Sequence, residues 1–69
     1  MITKPGTYLA RNGETVIIDK IGERGTTPCQ GRCSRTATSG KVRWVHNLWR
    51  RDGRLFPIRE HGEDVVGAR

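Results

Sequence analysis

Two cysteines and two histidines are the first residues of this chain to ask about. Cys29-Gln-Gly-Arg-Cys33 with His46 and His61 supplies two thiols and two imidazoles, the donor set of a structural zinc site. The cysteine spacing is permissible, but the histidines are far apart and neither half forms a compact knuckle, so free reduced thiols are the favoured reading. Nucleophilic catalysis by the same thiols needs a base in reach and a third group to orient it, and nothing in the spacing supplies these. The stretch from Gly31 to Gly40-Lys41 is too long for a phosphate loop, and Val42 stands where the metal-binding hydroxyl belongs. Glu60, Glu63 and Asp64 are close enough to share a divalent ion, yet acids so placed more often pair with nearby arginines or remain solvated. The expectation is a protein that is not an enzyme and uses no cofactor.

The arginines carry a stronger signal. Thirteen Lys and Arg face seven Asp and Glu, for a net charge of +6, and ten of the thirteen are Arg. Residues 32–59 hold eight bases against one acid, whereas residues 60–69 are net acidic. A guanidinium grips phosphate through a planar fork and stacks on flat rings, so an arginine-dominated excess favours phosphate-bearing partners. The candidate anion- or nucleic-acid-binding set is Arg32, Arg35, Arg43, Arg50, Arg51, Arg54 and Arg59, with Trp44 and Trp49 as stacking rings.

A chain of 69 residues, 33% hydrophobic and 29% charged, has material for one thin core, which excludes a large multi-step enzyme. Residues 1–69 therefore read as a single small β domain, and a supplement such as dimerisation is expected, a homodimer in the first instance. Thr7–Arg11 and Glu14–Ile21 flank Asn12-Gly13, the dipeptide of a two-residue type I′ turn, which would set Leu9 opposite Val16 and Tyr8 opposite Ile17. A second hairpin is expected around Asp52-Gly53, between Lys41–Arg51 and Arg54–Arg59. It would place Arg51 opposite Arg54 as a phosphate clamp, Trp49 opposite Phe56 and Asn47 opposite Ile58. A helix over 42–50 is the alternative, since Val42, Val45, Leu48 and Trp49 fall near helical spacing, but β-branched and aromatic content favours a strand. Trp44 and Trp49 fall on opposite faces of that strand, so one of them is expected to be exposed.

Gly22–Gly40 has no large aliphatic or aromatic side chain and reads as a flexible Gly/Thr/Arg-rich loop over residues 22–40, with Arg24, Arg32 and Arg35 suited to close over an anion. Val65–Val66 can add one short last strand. The fold class expected is all-β, a small antiparallel barrel or meander of four to five strands built from two hairpins. No run of about 18 apolar residues exists for a membrane helix. Met1–Gly6 has no apolar segment of a secretory signal, which makes the cytoplasm the default.

At Gly6-Thr-Tyr8, Arg11-Asn-Gly13, Val16-Ile-Ile18, Trp49 with Asp52-Gly53-Arg54, and Asp64-Val-Val-Gly67, the chain resembles small phage and prophage accessory proteins. The shared motifs are turns and strand edges, so no catalytic residue is carried over. What the resemblance implies is a non-enzymatic protein acting in the host cytoplasm, with counter-defence as its role. Two functions fit. The first is binding of nucleic acid or a nucleotide signal through the arginine-rich surface. The second is inhibition of a host defence protein through exposed Trp and Arg side chains.

Overall fold

The computed structural model describes residues 2–68. Five strands, β1 (Gly6–Ala10), β2 (Thr15–Ile21), β3 (Cys29–Thr36), β4 (Val42–Trp49) and β5 (Val65–Ala68), form one antiparallel sheet in the order β4-β3-β2-β1-β5. The fold is all-β, and it is an open sheet rather than a closed barrel. A strand at 42–49 replaces the helical alternative, and the expected short last strand forms, paired with β1.

The first hairpin forms one residue out of the expected register. Tyr8 pairs with Val16 and Leu9 with Thr15. The reason lies in the turn: Ala10 N–H donates to the Glu14 carbonyl (2.9 Å) and Gly13 N–H to the Ala10 carbonyl (3.0 Å), which makes a three-residue loop. Gly13 alone takes positive φ, at 87°, so Asn12 avoids the left-handed conformation that a type I′ turn would impose on it. Its side-chain oxygen instead accepts the Glu14 amide at 2.9 Å. The one-residue shift turns Tyr8, Val16 and Ile18 inward together and leaves Leu9 and Ile17 half-exposed on the other face.

The same turn recurs twice. Ala37 and Lys41 close around Gly40, and Arg50 and Arg54 close around Gly53, each with the same pair of backbone hydrogen bonds and a positive-φ glycine. In the last of these Asp52 Oδ1 accepts the Arg54 amide, as Asn12 does for Glu14. Shared turn chemistry thus accounts for the similarity between Arg11-Asn-Gly-Glu14 and Arg51-Asp-Gly-Arg54.

Two expectations fail beyond the first turn. The first concerns the loop over 22–40: its second half is β3, which pairs with both β2 and β4 near the centre of the sheet. Cys29, Gly31 and Cys33 alternate inward against Gln30 and Arg32 outward, so small side chains carry the period-two pattern that larger ones usually announce. Gly31 is required there. A Cβ at this position would collide with the Ile17 carbonyl oxygen and come within 2.9 Å of Ile18 Cα, next to a bulge in β2 between Ile18 and Lys20. The second failure is the hairpin around Asp52-Gly53. Its turn closes, but residues 54–59 form no strand, so the pairs Trp49–Phe56 and Asn47–Ile58 do not exist.

Instead the chain after the turn crosses the inner face of the sheet. Val65 N–H donates to the Gly53 carbonyl (2.8 Å), and the buried Asp64 carboxylate accepts the amides of Leu55 (3.0 Å) and His61 (2.9 Å). Pro57 has no amide N–H to give to a ladder, which disfavours a strand over 54–59. The core beneath it consists of Ile2, Tyr8, Ala10, Val16, Ile18, Cys29, Cys33 and Trp49, with Ile21, Val45, Leu55 and Val65 at its margin. Trp49 is fully buried, and its indole N–H donates to the Glu63 carbonyl at 2.8 Å.

Candidate functional site

Register decides which side chains share the uncovered face. Gln30 lies opposite Leu48, Arg32 opposite His46 and Ser34 opposite Trp44, with Ile17 beyond Arg32 on β2. The crossing segment lies on the other face, against Trp49, so this one is left to solvent: Trp44 is 49% exposed and Leu48 48%, while Trp49 is at 0%. The exposed tryptophan is therefore Trp44. The Arg32 guanidinium carbon stands 5.8 Å from the Trp44 ring centroid, within cation–π range.

Glu14 and Ser34 tie this face together at one end. Thr15 N–H donates to Ser34 Oγ (3.0 Å), and Ser34 Oγ donates to Glu14 Oε2 (2.7 Å), which satisfies a buried hydroxyl between the strands. At the other end a cavity of about 550 Å³ opens between Asp19, Gln30, Gly31, His46, Asn47 and Leu48. Asp19 is the extra residue of the β2 bulge, so the bulge both narrows the approach to Gly31 and adds a carboxylate to the cavity wall.

The remaining arginines are dispersed. Arg35 lies on the inner face, where Nε and Nη2 donate to Glu63 Oε2 (2.6 Å) and Oε1 (3.0 Å). Those hydrogen bonds hold the Glu63 carboxyl below its usual range against the opposing effect of burial, and the same bonds raise the Arg35 value. Arg43 pairs across the strands with Arg35 and shares its face. Arg50 lies beside Asp52, with Nε 3.7 Å from Oδ2, and Arg51 Nη2 donates to the Gly22 carbonyl at 3.2 Å. Arg59 stacks over Phe56, 4.3 Å from its centroid, and Arg54 sits half-buried at the turn. Without a second strand the proposed Arg51–Arg54 clamp is not assembled: Arg51 and Arg54 do not face each other across a ladder. Of the candidate set, Arg32 and Trp44 come together on the open face, whereas Trp49 belongs to the core.

The four candidate zinc ligands are also separated. Cys29 and Cys33 are buried in the core as free thiols, and His46 lies on the opposite face beside Arg32. No group of three or more His, Cys, Asp or Glu converges on a metal position among the described residues. Burial pushes the Cys33 thiol up to about 11, reinforced by its hydrogen bond to Glu63, and burial raises Cys29 as well. Both act as small apolar core residues. The sequence pointed to neither Gln30 nor Asp19 as part of a site, because the bulge that brings Asp19 to the cavity leaves no mark in residue type. Among the described residues, no helix is long and apolar enough to cross a membrane.

Compared with protein-family models, curated proteins and solved structures, the chain matches none. The functional reading therefore rests on the open face itself.

Proposed function

We propose that this is a non-enzymatic binding module that takes a single strand of nucleic acid on the open face of its sheet, with Trp44 stacking on a base and Arg32 neutralising a neighbouring phosphate. The observation that carries this is a half-exposed tryptophan under a guanidinium on an uncovered sheet in a chain of net charge +6. Stacking of bases on aromatic side chains along a basic surface is the general means by which proteins hold single strands. The unpaired charge of Arg32 supports it. Glu63 and Asp64 sit on the covered side, where Glu63 pairs with Arg35 and Asp64 lies 3.7 Å from Arg11, whereas Arg32 forms no ion pair among the described residues. The Arg32 guanidinium is therefore open to a ligand that approaches this face, which also carries Glu14 and Asp19. The resemblance to phage accessory proteins gives this binding a setting in the host cytoplasm, against a defence system that uses or senses nucleic acid.

The test is fluorescence anisotropy with a labelled twelve-residue oligothymidylate at two salt concentrations. Arg32→Glu is expected to weaken binding about tenfold or more at low salt and to reduce the salt slope by about 1. Absence of binding at low salt would overturn the proposal.

A second reading has its own support in β4. Among the described residues this strand pairs only with β3, so its outer edge carries unpaired backbone groups beside exposed Val42, Trp44 and Leu48. A host protein adding a strand to that edge would make the chain an inhibitor by β-augmentation. Affinity purification that recovers one stoichiometric host protein and no nucleic acid would favour it.

A further inference from the structure

The cavity at the end of the open face away from Trp44 has polar side chains in its wall that backbone binding alone does not require. It is lined by Asp19, Gln30, Gly31, His46, Asn47 and Leu48. Arg32 faces His46 and Gln30 faces Leu48, so the cavity and the Arg32–Trp44 pair lie on the same face of the sheet. Asp19 is the anomaly. A carboxylate on a surface meant for phosphates repels them, and this one forms no ion pair among the described residues that would neutralise it. It is exposed, so no requirement of the core holds it there.

A carboxylate is an acceptor only, and its two oxygens are best satisfied by two parallel N–H donors. Among nucleobases, guanine alone offers adjacent donors on its pairing edge, the ring N1–H and the exocyclic N2 amine. Cytosine and adenine place a bare ring nitrogen beside their amino group, and thymine and uracil flank one N–H with two carbonyls. We propose that the cavity is a guanine subsite within a bound single strand. In it Asp19 accepts from N1 and N2, and Gln30 donates its side-chain amide to O6. A base lacking the paired donors makes at most one hydrogen bond to the carboxylate, so guanine is preferred by the second, charge-assisted bond. Four residues of β4 separate Trp44 from Leu48, a span of roughly 13 Å at strand rise. That is about two nucleotide steps of an extended strand, so the base on Trp44 is not the guanine's immediate neighbour. The inference rests on the nucleic-acid reading of this face, and it names the base that the face selects.

The experiment compares a twelve-residue oligothymidylate with the same oligonucleotide carrying one central guanine, titrated against the parent protein and Asp19→Asn. The parent is expected to prefer the guanine-containing strand by at least about fivefold. Asp19→Asn is expected to abolish that preference and to bind oligothymidylate as tightly as the parent or tighter, because a negative charge has gone. A folding defect would weaken both ligands, so this opposite response separates recognition from damage. Equal binding of the two strands by the parent would overturn the guanine subsite and leave the stacking face standing. Failure of both strands to bind would overturn the nucleic-acid reading with it. Guanosine monophosphate competing as well as the guanine-containing strand would overturn the assignment to a strand.

Discussion

Replacing Asp64 by alanine should bring this domain to the edge of unfolding. The carboxylate is fully buried and is the acceptor for the Leu55 and His61 amides at 3.0 and 2.9 Å, with Arg11 Nη2 at 3.7 Å from the second oxygen. Truncation leaves two partly buried amides without acceptors, at about 1–3 kcal/mol each. Taking the middle of that range, and the loss of acceptor charge beside Arg11, the variant loses about 4–5 kcal/mol. A chain of this length has on the order of 3–10 kcal/mol in all, so a large fraction of its stability goes. Asp64→Asn keeps one carbonyl oxygen and should lose about half as much. Urea unfolding of both variants in a Trp44→Phe background would leave Trp49 as sole tryptophan emitter, and its indole sits directly under the crossing segment that Asp64 fastens. A change under about 0.5 kcal/mol for Asp64→Ala, or a larger loss for Asn than for Ala, would refute the reasoning.

Three further outcomes follow from the same structure. Gly31→Ala is expected to prevent folding or cost several kcal/mol, since its Cβ would collide with the Ile17 carbonyl; a loss of sheet signal in circular dichroism checks it, and a variant as stable as the parent would contradict the close approach of β2 and β3. Glu63 is held below its ordinary value chiefly by Arg35, so the stability it contributes is present above about pH 4.3 and is lost as pH falls through its folded value; the acid limb of a stability–pH curve should shrink in Glu63→Gln. Cys33 is raised to about 11, so its contribution is complete below the unfolded thiol value and fades as pH rises toward 11; alkylation of native protein at pH 8 should be slow at Cys33 and fast after unfolding.

How far the sequence reveals this molecule varies with the physical signal each element sends. Asn12-Gly13 and Asp52-Gly53 mark turns that do form, because glycine alone tolerates the positive φ each closure needs. The same dipeptide does not distinguish a two-residue from a three-residue loop, and that one residue moved Val16 from opposite Leu9 to opposite Tyr8. β4 and β5 are legible from β-branched and aromatic residues. β3 is hidden because its inward positions are Cys29, Gly31 and Cys33, small side chains without the bulk that a hydrophobic pattern registers, although their alternation with Gln30 and Arg32 is present in the sequence. The course of residues 54–64 depends on Asp64 capping amides three and nine residues away, a tertiary arrangement that no local pattern carries. The opposition of Trp44 and Trp49 is readable from strand parity, but which of them is buried follows only from where the crossing segment lies.

The central claim is that Trp44 on the open sheet face contacts a nucleic-acid base. Titration of a twelve-residue oligothymidylate into the parent protein and Trp44→Ala tests it most directly. Trp44 is half-exposed and outside the core, so the variant should fold as the parent does, which its urea midpoint will register. Its affinity should fall by about 1–3 kcal/mol, the value of one stacked base. Equal affinity for parent and variant, with both folded, would contradict the account.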